Sequence, residues 1–193
     1  MLMLADLLFP SFCALCGGHI PFSSGGICSV CSDRLPHEAE GCPVCGPRSA
    51  DHCRCAERRF FFSRSIALTG YASPMPGLVA AFKMGRLPEL ARFFAASAPH
   101  VDGIDCVTWI PSTAPAFRRR GFEPARLLAQ AYARRIRMPC IRLLRHRGSG
   151  VQKACRHDSR FLGTLGSFVP IRSAAGYRIL LIDDVFTTGA TVN

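Results

Sequence analysis

Hydrophobic positions along this chain follow two regimes. Near the start, Leu4, Leu7 and Leu8 share one helical face and predict a short amphipathic helix over Met1–Phe9, ended by Pro10. A cysteine-rich stretch with few core aliphatics follows. From Ser63 the pattern alternates between strand and helix. Ser65–Tyr71 reads as a strand. Pro76–Lys83 and Leu87–Ala98 read as helices, broken at Gly85. Cys106–Pro111 is a short apolar strand ending at proline. Glu123–Arg137 is an amphipathic helix, with Leu127, Leu128, Ala131 and Ile136 inward and arginines outward. Cys140–Leu144 reads as another strand, 145–167 as a basic, loop-rich segment, and Arg178–Ile182 as a strand of the fully buried type. Strands alternating with helices predict an α/β fold: a parallel sheet with helices on both faces, preceded by a small cysteine-rich module. The expected division is 1–58 for the N-terminal helix and module, and 59–193 for the α/β domain. No run of about 18 apolar residues occurs, which excludes a membrane-spanning helix.

The chain holds 11 cysteines in 193 residues. The N-terminal apolar stretch lacks a basic lead, contains Asp6 and has no small-residue cleavage site, so an amphipathic helix is expected there in preference to a signal peptide. The expected compartment is the cytoplasm, where thiols stay reduced and serve metals before disulfides. Eight cysteines form four couples between residues 13 and 55: Cys13/Cys16, Cys28/Cys31, Cys42/Cys45 and Cys53/Cys55. Three are Cys-x-x-Cys, a spacing that lets two thiolates on one turn grip one tetrahedral ion. In chain order, Cys13, Cys16, Cys28 and Cys31 make one site. Cys42, Cys45, Cys53 and Cys55 make a second. Soft thiolates select zinc over magnesium or calcium, and two closed structural zinc sites are expected. An iron–sulfur cluster and a crossed pairing of the couples remain as alternatives. Cys106 and Cys140 read as small core residues.

The net charge is +11, and one stretch carries all of it: residues 117–160 hold twelve arginines and one lysine against two acids. Such a surface suits phosphates. Arginine outnumbers lysine 22 to 2, which fits bidentate phosphate binding and equally a GC-rich codon bias. Phe117, Phe122 and Phe161 interleave with this charge and either stack on bases or belong to the core.

The most informative segment runs from Ile179 to Thr191. Four aliphatics deliver Asp183 and Asp184 at a strand's C-terminal end, and Thr187, Thr188, Gly189, Ala190 and Thr191 follow. In open α/β sheets ligands bind at that edge. Hydroxyls and small residues let backbone amides approach a phosphate closely, while the carboxylates accept sugar hydroxyls or hold a hydrated magnesium. No lysine follows the glycine, so this is no Walker loop.

This loop resembles the phosphoribosyl pyrophosphate (PRPP) loop of type I phosphoribosyltransferases. The whole chain is similar to the ComF family, which joins a double zinc ribbon to such a domain. Leu7-Leu8-Phe9-Pro10, Phe82-Lys83 with Gly85, Ile110-Pro111, Arg120-Gly121-Phe122, Leu127-Leu128-Ala129, and the spacing of Gln152, Arg160 and Phe168 carry the likeness. It departs at Glu123-Pro124, Ser112-Thr113 and Gly163. The resemblance implies PRPP bound with magnesium. Asp183 and Asp184 would be catalytic and take the ribose hydroxyls, with Val185, Thr187, Thr188, Gly189, Ala190 and Thr191 around the 5′-phosphate. Pro111, Ser112, Thr113 and Arg120 would face pyrophosphate. It also implies a link to DNA uptake, with single-stranded DNA and uptake proteins as partners. A helix should follow Thr191, so the domain is expected to be incomplete at its C-terminus. Two functions stay open: a PRPP-binding transferase-like protein, and a zinc-dependent single-stranded nucleic-acid-binding accessory protein without transferase activity.

Overall fold

The structure is a computed structural model that describes residues 11–21, 24–35, 42, 61–84, 87–147 and 167–185. The helix expected over Met1–Phe9, three cysteines of the second zinc site and Thr187–Thr191 lie outside the described residues.

The sheet is built on β3 (Cys106–Trp109), whose four residues are all buried. β6 (Ile179–Ile182) lies parallel to it, in a register running from Cys106 opposite Ile179 to Trp109 opposite Ile182. On the other side of β3, Val107 makes a parallel bridge to Cys140. β3 is buried as its apolar run suggests, but β6 is not the fully buried strand expected: Ile179 is exposed and Leu180, Leu181 and Ile182 are half-buried. The strand expected over Cys140–Leu144 is shorter than its sequence suggests. Only Cys140 joins the sheet, and the amide of Leu143 turns to Thr108 Oγ1 at 3.4 Å. The chain then leaves as β4 (Leu144–His146), which pairs antiparallel with β5 (Phe168–Pro170). The basic segment expected to be loop-rich therefore starts within a strand and is followed by another, with His146 against Phe168 at 5.2 Å between ring centroids. The strand expected over Ser65–Tyr71 forms no ladder among the described residues. Its residues Ile66–Tyr71 line a cavity beside β6 instead.

Helices cover the sheet. α2 (Met75–Lys83) and α3 (Leu90–Ser97) match the predicted positions within three residues, and α5 (Pro124–Ile136) within one. The inward face of α5 differs from expectation. Ala125, Ala129, Tyr132 and Ala133 are buried, whereas Leu127, Leu128, Ala131 and Ile136 are half-buried. Small residues at helical spacing let this helix approach Val107 and Trp109 closely, which larger side chains would prevent. The leucine side faces a second cluster built on α2 and α3.

That second cluster also contains the N-terminal module. A two-residue ladder, β1 (Ser11–Phe12) with β2 (His19–Ile20), and the short helix α1 (Ser29–Ser32) present Cys13, Ile20, Ile27 and Leu35 to Leu78, Phe82 and Leu90. Gly25 and Gly26 make the approach possible. Both have positive φ, and a Cβ on Gly25 would stand 3.1 Å from the backbone nitrogen of Phe93.

α4 (Ala114–Arg120) was not evident from sequence, because Pro115 reads as a breaker. At the first turn proline is tolerated, since its missing N–H has no helical partner to lose. Thr113 caps this turn, accepting from the amide of Ala116 at 3.3 Å. The helix stops at Gly121 with φ 78°, a left-handed conformation that glycine adopts freely. Phe122 then packs edge-on against Phe82 at 6.4 Å. Arg120-Gly121-Phe122 is thus a helix stop followed by an aromatic that packs on Phe82.

Candidate functional site

Cys13, Cys16, Cys28 and Cys31 come together as the spacing predicts, their sulfurs all within 4.8 Å of one another. The turn after Phe12 supplies the first couple. The second straddles the start of α1, where the amide of Cys31 donates to the Cys28 sulfur at 3.4 Å. The amide of Cys28 donates to the Cys13 sulfur, also at 3.4 Å. Burial opposes ionisation of Cys13, yet amides of Cys28, Cys16 and Leu15 turned toward it hold its thiol down at about 6. Cys31 is pushed up to about 12, first by hydrogen bonding with Cys28, then by burial and the other sulfurs. Crowded thiolates repel, and only a cation lets all four ionise together. Four sulfur donors in one closed cluster suit a tetrahedral structural zinc ion. Of the second expected set, Cys42 is described, while Cys45, Cys53 and Cys55 lie outside the described residues.

The sheet builds a second constellation. Because Trp109 pairs with Ile182, the chains leaving β3 and β6 emerge side by side at one edge, tied by Ile110 N–H to Ile182 C=O at 3.0 Å. One of these chains is the loop Pro111–Ser112–Thr113. The other carries Asp183 and Asp184. Sequence reasoning missed two residues here. Glu123, buried to 9% exposure, accepts the Ser112 amide at 3.0 Å and so pins the loop. Its carboxylate does this in place of capping α5. Lys83, the last residue of α2, reaches Asp184 at 2.9 Å. The first belongs to a departure from the family pattern and the second to a matching segment, but neither pattern shows what the side chain touches. Arg118 and Arg119 stand exposed on α4, and Arg120 is half-buried at its end. Phe117 is 45% exposed, whereas Phe122 is half-buried and packs edge-on against Phe82.

Asp183 takes the Asp184 amide at 2.8 Å, and both acids line a cavity of about 320 Å³ walled by Tyr71, Val79, Phe82 and Phe94. Burial pushes Asp183 up from its ordinary 3.8 to about 6. The Asp184 charge adds to this, while the Asp184 amide and Lys83 pull the other way. The folded state therefore holds this proton more tightly than the unfolded chain does. The resulting stability is present below pH 4 and is lost as pH rises toward 6. Asp183→Asn removes the cost of the buried charge. In urea melts it should stabilise the protein by about 1–2 kcal/mol at pH 8, a value discounted for partial exposure, and by almost nothing at pH 4.

A double zinc ribbon domain profile matches residues 4–58. The chain is 28% identical to the DNA utilization protein YhgH of Escherichia coli O6:H1, over 96% of this chain and 89% of that one. It is 27% identical to the competence protein ComFC of Bacillus subtilis, over 86% and 75%. It is 24% identical to competence protein F of Haemophilus influenzae, over 94% and 87%. No solved structure matches the chain. None of the described helices is long and apolar enough to cross a membrane. A ribbon cluster of four cysteines, a parallel α/β sheet, and the likeness to competence proteins along most of the chain support assignment to the ComF family.

Proposed function

We propose that this protein binds PRPP at the shared edge of β3 and β6 and serves DNA handling during uptake. One observation carries the first half. The parallel register sets the pinned Pro111–Thr113 loop next to Asp183 and Asp184. A ribose lies over the acids, with its hydroxyls donating to their oxygens. The 5′-phosphate meets the amides and hydroxyls of Thr187–Thr191, and pyrophosphate faces the loop and the Arg120 side. Magnesium accompanies the pyrophosphate and neutralises it. If the chemistry runs, it is displacement at the anomeric carbon, favoured by electrostatic stabilisation of the departing pyrophosphate. A competition experiment tests the geometry. Ribose 5-phosphate and pyrophosphate should each displace PRPP, because they occupy opposite halves of one site. Displacement by neither overturns the reading.

The second half rests on the names of the relatives, DNA utilization and competence proteins, and on the arginine surface of α4. Single-stranded DNA would lie across Arg118, Arg119 and the exposed Phe117. We further propose that 1–58 holds a second zinc ion on Cys42, Cys45, Cys53 and Cys55, and that 59–193 forms the PRPP-binding unit in a reducing, cytoplasmic setting.

A further inference from the structure

The two adjacent carboxylates at the end of β6 would ordinarily read as a divalent-cation site, but the geometry already provides their counter-charge. Lys83 Nζ lies 2.9 Å from Asp184 Oδ1, with the two side chains 30% and 16% exposed. This ammonium is not on a wandering loop. It ends α2, whose preceding residue, Phe82, is 1% exposed and packed edge-on against Phe94 at 5.9 Å and against Phe122. Its position in the last turn also suits a cation, because the negative end of the helix dipole lies there. In a chain of 22 arginines and 2 lysines, this place holds an ammonium. An ammonium is a compact point charge that takes one carboxylate oxygen, where a planar guanidinium would take two. The neighbouring acid is held separately: the Asp184 amide donates to Asp183 Oδ1 at 2.8 Å.

We propose that Lys83 is the built-in counter-ion of the acidic pair. It fills the position of charge that a divalent ion would otherwise take, so that the pair receives neutral hydroxyls of a polyol and not a metal ion. This rests on the reading that Asp183 and Asp184 face a ribose. It adds that any magnesium present travels with the pyrophosphate and that Lys83 sets the pair's preference. Lys83 is accordingly a positioning residue that acts through Asp184.

Manganese is the probe, because free and bound Mn²⁺ are distinguished by electron paramagnetic resonance. The protein is kept zinc-loaded, without PRPP, and its fold is followed by circular dichroism. The wild type should show no Mn²⁺ site that depends on Asp184. Lys83→Met should gain one, with binding at least about tenfold tighter than wild type, because an opposing charge some 3 Å from the carboxylate has been removed. Lys83→Met combined with Asp184→Asn should lose it again, and Lys83→Arg, which restores the charge, should behave as wild type. Wild-type Mn²⁺ binding that disappears in Asp184→Asn overturns the proposal, as does a folded Lys83→Met that gains nothing. Ribose 5-phosphate titration of the same samples separates this from the parent reading. If Lys83→Met gains Mn²⁺ while ribose 5-phosphate binds neither protein, the counter-ion role stands and the ribose assignment falls. If ribose 5-phosphate binds the wild type and Lys83→Met gains nothing, the counter-ion role falls alone.

Discussion

Replacing Cys28 by Ser should release a zinc equivalent and lower the stability of the whole chain, not only of its N-terminal module. The Cys28 sulfur accepts from the Cys31 amide and lies 3.8 Å from the Cys16 sulfur, so the substitution removes one of the four ligands and the contacts it makes with two others. Zinc binding in such modules is worth about 10–16 kcal/mol of apparent free energy, which becomes folding free energy because the apo site is not preformed. The consequence extends inward. Ile20, Ile27 and Leu35 share one cluster with Leu78, Phe82 and Leu90, and Gly25 lies against Phe93. Each buried aliphatic contributes about 1.5–3 kcal/mol when covered. Uncovering this face should remove several kcal/mol and lower the melting temperature by about 10 °C. Elemental analysis and calorimetry measure both effects. A Cys28→Ser protein that keeps its zinc, or loses it without any change in melting, contradicts a shared core.

Reversing Arg118, Arg119 and Arg120 to Glu should weaken single-stranded DNA binding by about a hundredfold at low salt and flatten the salt dependence by about two logarithmic units, the share of three phosphate contacts. The three residues form the last turn of α4, which Gly121 ends. Arginines there also favour the negative end of the helix, and glutamates oppose it. The triple Arg→Gln variant separates the two effects: it removes charge without repelling the helix end, and it should still lose most of the affinity. Fluorescence anisotropy across a salt series reads the outcome. Unchanged affinity in both variants would remove DNA from this surface.

What was legible in the sequence follows from chemistry that is local. The Cys-x-x-Cys spacing specifies its own geometry, and Cys13, Cys16, Cys28 and Cys31 meet as that spacing requires. The run Ile179–Ile182 declares a strand, though not its burial, since Ile179 is exposed and the other three residues are half-buried, and two carboxylates after it declare a sheet edge. What was not legible depends on distant partners. Leu127 and Leu128 are large and apolar, yet Ala125, Ala129 and Ala133, with Tyr132, pack with Val107 and Trp109, because closeness of approach decides that face and not hydrophobicity alone. Pro115 hid α4, since its position in the first turn depends on the Thr113 cap. Residues 65–71 have strand-like composition, but a strand needs a ladder partner, which sequence does not supply. Glu123 and Lys83 act across separations of 11 and 101 residues, reaching Ser112 and Asp184.

The central claim is that Asp183 and Asp184, set beside a pinned loop by the parallel pairing of β3 and β6, receive the ribose of PRPP. Titration calorimetry of the full natural chain with PRPP and magnesium at pH 8, where Asp183 is ionised, tests it most directly. The account predicts saturable one-site binding that falls at least about a hundredfold in Asp183→Asn/Asp184→Asn, since two charged hydrogen-bond acceptors are lost. Zinc content should stay the same. Binding of equal strength in the double variant, or no binding by a folded, zinc-loaded wild type, would contradict it.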